Sequence, residues 1–221
     1  MTTKGRSSKN AVVGHRTRVG MERRARTQTR ILAAAMRVFA EKGPDAPVID
    51  DFIREAGVSR GTFYNYFTRT EQLLVAVSSS LEDDLMLSIQ AEIGDLPDPV
   101  ERLATGVRLW LRWARNDLVW CAFIVRSRFR GPLVERQLTA DLRDGRMAGS
   151  FEYPSIGIAR DMVVGTILEA MHRIMTSPVS MSYPDGVARA ILRGLGLDSQ
   201  TIRRLMARPV PKLRRPVRTL S

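Results

Sequence analysis

The chain has 221 residues, 44% of them hydrophobic, and a formal net charge of +12, enough length and apolar content for one small and one larger domain. One cysteine, Cys121, and two histidines, His15 and His172, exclude disulfide stapling within the chain and any zinc-finger ligand set, and fit a reducing cytoplasm. No uncharged stretch approaches the roughly 20 residues that a membrane-spanning helix needs.

Residues 1–26 hold eight Lys or Arg against the single acid Glu22 and carry +7. They lack a periodic apolar stripe, so a basic, disordered arm is expected, without the apolar core of a secretory signal. Such an arm either adds sequence-independent affinity for nucleic acid through counterion release, or places Arg23, Arg24 or Arg26 in a minor groove.

Residues 27–73 read as a DNA-binding domain. Ile49, Phe52, Ile53 and Ala56 recur at three- and four-residue intervals and predict a helix from about Val48 to Ala56, opened by Pro47, with Asp50 and Asp51 complementing its dipole. Gly57 supplies the left-handed residue that ends a helix, and Ser59 is a good N-cap for the next. That second helix, expected from Ser59 to Tyr66, turns Phe63 and Phe67 inward and leaves Arg60, Thr62, Tyr64, Asn65 and Tyr66 outside. Gly61 lets the backbone approach a base edge or phosphate closely, and Arg69 follows as a candidate phosphate contact. Two short helices about a Gly-containing turn form a helix-turn-helix, whose second helix enters the DNA major groove.

The segment from Thr29 to Leu74 resembles the N-terminal DNA-binding domain of TetR-family transcriptional regulators. The matching positions are Ile31, Leu32, Ala35, Phe39 and Gly43, then Ala56, Gly57, Val58, Ser59, Thr62, Tyr64 and Phe67, then Glu71 and Leu73. The sequence departs from the family at Val48 and Ile49, where the family usually has Thr, at Tyr66 for a common His, and at Thr70 for a frequent Lys. The resemblance implies an all-helical homodimer on double-stranded operator DNA, with a small-molecule pocket in the C-terminal domain.

Residues 74–206 continue in helical periodicity. A long helix from Thr70 buries Leu73, Leu74, Val77, Leu81, Leu85 and Ile89 before Gly94. Further helices are expected over Pro99–Asn116, Leu118–Arg128 and Val134–Arg143. Trp110, Trp113 and Trp120 fall within eleven positions, joined by Cys121, Phe123 and Phe129. Such a cluster is either core or the lining of a ligand pocket. The ligand-binding candidates are Trp110, Trp113, Trp120, Phe123, Phe151 and Met162. In the helix of residues 155–176, Ile158, Met162, Gly165, Leu168 and His172 share a face; in residues 185–195 a second stripe holds Val187, Ile191 and Leu195. Both are expected at a dimer interface, the alternative being packing within the subunit.

Residues 207–221 form a Pro-rich basic tail. Residues 203–221 carry +7 with no acid, so residues 27–202 sum to −2. The tail is either solvated or a contact to the partner subunit or to flanking DNA. No Gly-rich phosphate loop, nucleophile elbow or paired-His motif is present. No enzyme, cofactor or metal site is therefore expected. The expectation is an all-α, ligand-responsive, sequence-specific transcriptional regulator, a repressor released by a small apolar or aromatic effector. The alternative is a nucleoid-type protein bound to DNA without sequence preference through its basic ends.

Overall fold

The computed structural model describes residues 7–43, 45–127 and 131–214, with side chains from Gly20 onward. Among these residues the chain is all-α, with no strand. It divides into two compact units, the first running to Val77 and the second starting at Ser78.

The first unit contains α1 (Ser7–Lys42), α2 (Ile49–Ala56), α3 (Arg60–Tyr64) and the opening turns of α4 (Thr70–Ile93). Residues 7–26, expected as a disordered arm, belong to α1. The physical reason lies in the sequence: no proline interrupts residues 7–42, and Arg, Met, Glu and Ala are good helix formers that propagate the turns of the buried segment backwards. That buried segment is Ile31, Ala34, Ala35, Val38 and Phe39, packed with Phe52, Ala56, Phe63, Phe67, Leu73 and Val77 of the same unit. Phe39 and Phe52 meet with ring centroids 5.0 Å apart.

Helix α2 begins at Ile49 with Val48 as its N-cap, so Pro47 stands one residue before the cap and does not open the first turn. Valine offers no side-chain acceptor; instead the Asp51 carboxylate accepts the Val48 amide at 3.1 Å. The hydrogen bond from Lys42 and that from the Val48 amide hold the Asp51 carboxyl below its ordinary value. At the other end Gly57 has φ 59° and ψ 40°, which a side chain would strain. Its amide donates to the Arg54 carbonyl at 3.2 Å, and that of Val58 to Ile53 at 3.3 Å. These paired bonds close the helix and set the turn angle.

The second unit comprises the rest of α4 and α5 (Pro99–Asn116), α6 (Leu118–Ser127), α7 (Pro132–Met147), α8 (Ile156–Thr176), α9 (Tyr183–Gly194) and α10 (Ser199–Ala207). Helix α5 is central and touches α6, α7, α8, α9 and α10. Its bounds follow from its sequence. Pro99 occupies the first turn, and the Asp98 carboxylate caps it by accepting the Val100 amide at 2.9 Å. Helix α10 was not expected; Asp198 starts it by accepting the amides of Gln200 (2.7 Å) and Thr201 (3.0 Å), and Ile202, Leu205 and Met206 bury its inner face.

Candidate functional site

Ser59 is extended (φ −71°, ψ 155°), and its Oγ accepts the Thr62 amide at 3.1 Å and lies 2.8 Å from Thr62 Oγ1. The cap therefore occupies both hydroxyls. Helix α3 stops at Tyr64, shorter than the expected run to Tyr66, because Asn65 already serves as its C-cap and Phe67 turns back into the core. Ser59, Arg60, Gly61, Tyr64, Asn65 and Arg69 are exposed, while Thr62 and Tyr66 are half-buried. Space around Gly61 is open to 4 Å from where a Cβ would stand. Arg60 pairs with Asp50, a partner not foreseen, and both remain more than half exposed. Such a solvated pair costs little to break in favour of a phosphate.

Arg23, Arg24 and Arg26 are exposed on α1 and do not form an extended arm. Arg24 lies with its guanidinium carbon 5.3 Å from the Tyr66 ring centroid and donates to the Asn65 carbonyl at 3.5 Å. It thus braces the residues that end the recognition helix, a cation–π contact at the position where the sequence carries tyrosine.

The second unit holds a cavity of about 110 Å³ between α4, α5, α6, α7 and α8. Its wall is mostly apolar, with Met86 and Ile89 from α4, Val107 and Trp110 from α5, Leu138 from α7 and Met171 from α8. Polar groups converge from α4, α5 and α7. Gln90 donates to Gln137 at 2.8 Å, Gln137 donates to Asp141 Oδ1 at 3.1 Å, and Arg102 Nε donates to the same oxygen at 2.8 Å. Burial pushes the Asp141 carboxyl up, against the pull of Arg102 and Gln137.

Of the six ligand-binding candidates only Trp110 lines this cavity. Its indole donates towards Met171 Sδ at 3.4 Å and its ring meets Trp120 edge-on at 5.2 Å. Trp120 is core, bonded through its indole to the Leu81 carbonyl at 3.3 Å, and Phe123 is buried beside it in α6. Trp113 is half-buried, its buried indole nitrogen without a hydrogen-bond partner. Phe151 lies over Gly145, and the Met162 sulfur faces Gly194 of α9. Phe129 lies outside the described residues. An aromatic cluster in sequence became several different contacts because two helices, α5 and α6, carry its described members. Gln90, Arg102, Gln137 and Asp141 went unforeseen. The available signal was in α7, where Gln137 and Asp141 interrupt an inward stripe begun by Val134 and Leu138.

The interface candidates divide by helix. Ile158 is 56% exposed, and Gly165 and His172 are also on the surface of α8. Leu168 is half-buried and lines the cavity. Val187, Ile191 and Leu195 are at most 9% exposed and pack within the subunit. The outward face of α9 is instead Gly186, Arg189, Ala190 and Arg193. The core formed with α5, α8 and α10 takes up the apolar stripe of α9.

Cys121 is buried, and burial followed by the Asp117 charge pushes its thiol up to about 12. Among the described residues no group of His, Cys, Asp and Glu could hold a metal ion, and no helix is long and apolar enough to cross a membrane.

Comparison with known proteins adds two family matches. Residues 31–77 match bacterial regulatory proteins of the tetR family, and residues 98–208 match a tetracyclin repressor-like C-terminal domain. An uncharacterised HTH-type transcriptional regulator of Mycobacterium tuberculosis (strain H37Rv) is 32% identical over 99 residues, 45% of this chain and 49% of that protein. HbdR, an HTH-type transcriptional regulator of Aromatoleum sp. (strain CIB), is 33% identical over 116 residues, 52% of this chain and 46% of that protein. The chain thus spans about half the length of the curated relatives it matches. Among solved structures, RolR in complex with resorcinol is similar with a TM-score of 0.73 and 27% identity, covering 88% of this chain and 100% of that one.

Proposed function

Since the chain belongs to the TetR family of DNA-binding transcriptional regulators, we propose that it is a repressor that holds a specific operator as a homodimer and releases it when a small aromatic effector occupies the cavity of the second unit. The observation that carries this reading is one chain containing both a capped helix-turn-helix and a ring-sized apolar cavity. The resorcinol bound to RolR supports a single-ring effector. An engineered apolar cavity of about 150 Å³ is known to take benzene, so the space here is of the right order.

Arg60, Gly61, Tyr64 and Asn65 reach operator bases or phosphates. Ser59 and Thr62 hold the helix start, and Tyr66, Arg69, Arg23, Arg24 and Arg26 flank it. The dimer is read onto the outward faces of α8 and α9, where Ile158, Gly165 and His172 meet the partner together with Gly186, Arg189, Ala190 and Arg193. A single five-residue recognition helix covers few base pairs, and twofold pairing doubles the site. An effector that prefers the conformer with weaker DNA affinity lowers occupancy by its differential binding energy, typically about 1 to 3 kcal/mol.

Selection of bound sequences from random DNA tests the reading. A palindromic site, and a dimer by light scattering at micromolar concentration, are expected. Binding that treats all sequences alike, with one steep salt dependence, would instead assign the protein to non-specific DNA packaging.

A further inference from the structure

The polar side of the cavity is a hydrogen-bond chain with a fixed direction. Asp141 is 5% exposed, and its Oδ1 accepts from both Arg102 Nε and Gln137 Nε2. Because that oxygen is the acceptor, Gln137 must turn its amide nitrogen towards it and its own Oε1 away. Gln90 then has to offer its nitrogen to Gln137, at 2.8 Å, and is left presenting Oε1. Asp141 keeps Oδ2, which takes part in neither of these bonds. The wall thus offers two acceptor oxygens, with one further N–H on each glutamine.

Arg102 does not offset them. It is the one cation among the described lining residues, and its guanidinium is engaged on three sides. Nε goes to Asp141, Nη2 to Asp144 at 3.0 Å, and Nη1 to the carbonyls of Leu96 (2.8 Å) and Pro97 (3.2 Å).

Resting on the reading of this cavity as the effector site, we propose that the effector is an uncharged single ring bearing hydroxyl groups, and that a ring of the same size bearing a carboxylate is excluded. One phenolic hydroxyl donates to Gln90 Oε1 and accepts the second N–H of either glutamine, and a second hydroxyl donates to Asp141 Oδ2. A carboxylate in that place faces oxygen acceptors and the Asp141 charge, and loses its hydration with no free cation to replace it. A ring with no hydroxyl leaves the acceptors unpaired.

Calorimetric titration of the full chain with resorcinol, 3-hydroxybenzoate and toluene tests this at about pH 7, where the phenols are protonated and the benzoate is ionised. Resorcinol is expected to bind at least roughly 100-fold more tightly than either other ring, the discrimination that a hydrogen-bonding site exerts on a misfit. Gln90→Leu is expected to weaken resorcinol about 10-fold without weakening toluene, whereas a merely loosened cavity would weaken both. Equal binding of 3-hydroxybenzoate, or indifference of resorcinol to Gln90→Leu, overturns the proposal and leaves the cavity as an effector site. Failure of all three rings to bind removes that site reading itself, and the proposal with it.

Discussion

Two side chains show how much rests on single contacts. A Cβ on Gly145 would stand 2.1 Å from the Phe151 ring, so Gly145→Ala must displace the aromatic that closes the end of α7. A loss of about 1 to 3 kcal/mol is expected in urea unfolding, with effector-free DNA affinity unchanged. Arg24 acts by shape as well as charge. Arg24→Lys keeps the cation and removes the planar group stacked on Tyr66, 5.3 Å from its centroid. An exposed contact of this type is worth about 0.5 to 1 kcal/mol. Preference for operator over random DNA should therefore fall a few-fold in a gel-shift titration, with the salt dependence unaltered. A variant that matches wild type on both counts would reduce Arg24 to a phosphate contact.

At the level of elements, the second unit is tied together by Arg108, which is 4% exposed. From α5 it donates to Asp185 of α9 at 2.9 Å and to the carbonyls of Arg208 (3.1 Å) and Met206 (3.5 Å) at the end of α10. Burial raises the Asp185 carboxyl, but Arg108 and Arg112 outweigh it and the net shift is downward. Removing Arg108 leaves that charge to the half-exposed Arg112 at 3.4 Å and takes the donor from two carbonyls, so Arg108→Met is expected to cost about 3 kcal/mol in denaturant unfolding, and Arg108→Met with Asp185→Leu distinctly less. The cap of α10 responds to acid. Bonds from Thr201 and Gln200 lower the Asp198 carboxyl from 3.8 to about 2, so its stabilisation is complete above pH 3.8 and is lost as pH falls through about 2. Thermal midpoints should fall further in wild type than in Asp198→Asn between about pH 5 and about pH 2, since Asn caps without titrating. These elements were unequally legible in sequence. Helix α5 was readable to its ends because its cap, its proline and its apolar spacing agree. Helix α10 was hidden because Arg203, Arg204 and Arg208 made it look like the start of a tail. Val187, Ile191 and Leu195 declared an apolar face but not what covers it, since periodicity carries no information about the neighbour. The cavity's polar side was unreadable for the same reason: Gln90, Arg102, Gln137 and Asp141 come from three helices, and only packing brings them together.

For the molecule as a whole, charge is concentrated at the ends of the sequence, +7 in residues 1–26 and +7 in residues 203–221, against −2 between them. The first of these segments lies largely in α1, whose 36 residues span roughly 54 Å at 1.5 Å each. Deleting residues 1–22 should lower affinity for operator and random DNA by the same factor and flatten the slope of log affinity against log salt, by about 0.9 for each phosphate that these residues neutralise. An effect confined to the operator would instead assign these residues to a groove.

The paired use of Asp141 Oδ1 by Arg102 and Gln137 has an evolutionary side. An asparagine there can keep its oxygen on both donors and present an NH₂ group where Oδ2 stood. Either aspartate codon becomes an asparagine codon by one nucleotide change. A single mutational step would then exchange acceptor for donor at the cavity wall and admit ligands that the parent rejects, while the operator-reading residues stay as they are. A lineage could in this way alter the compound that signals a promoter without altering the promoter it serves.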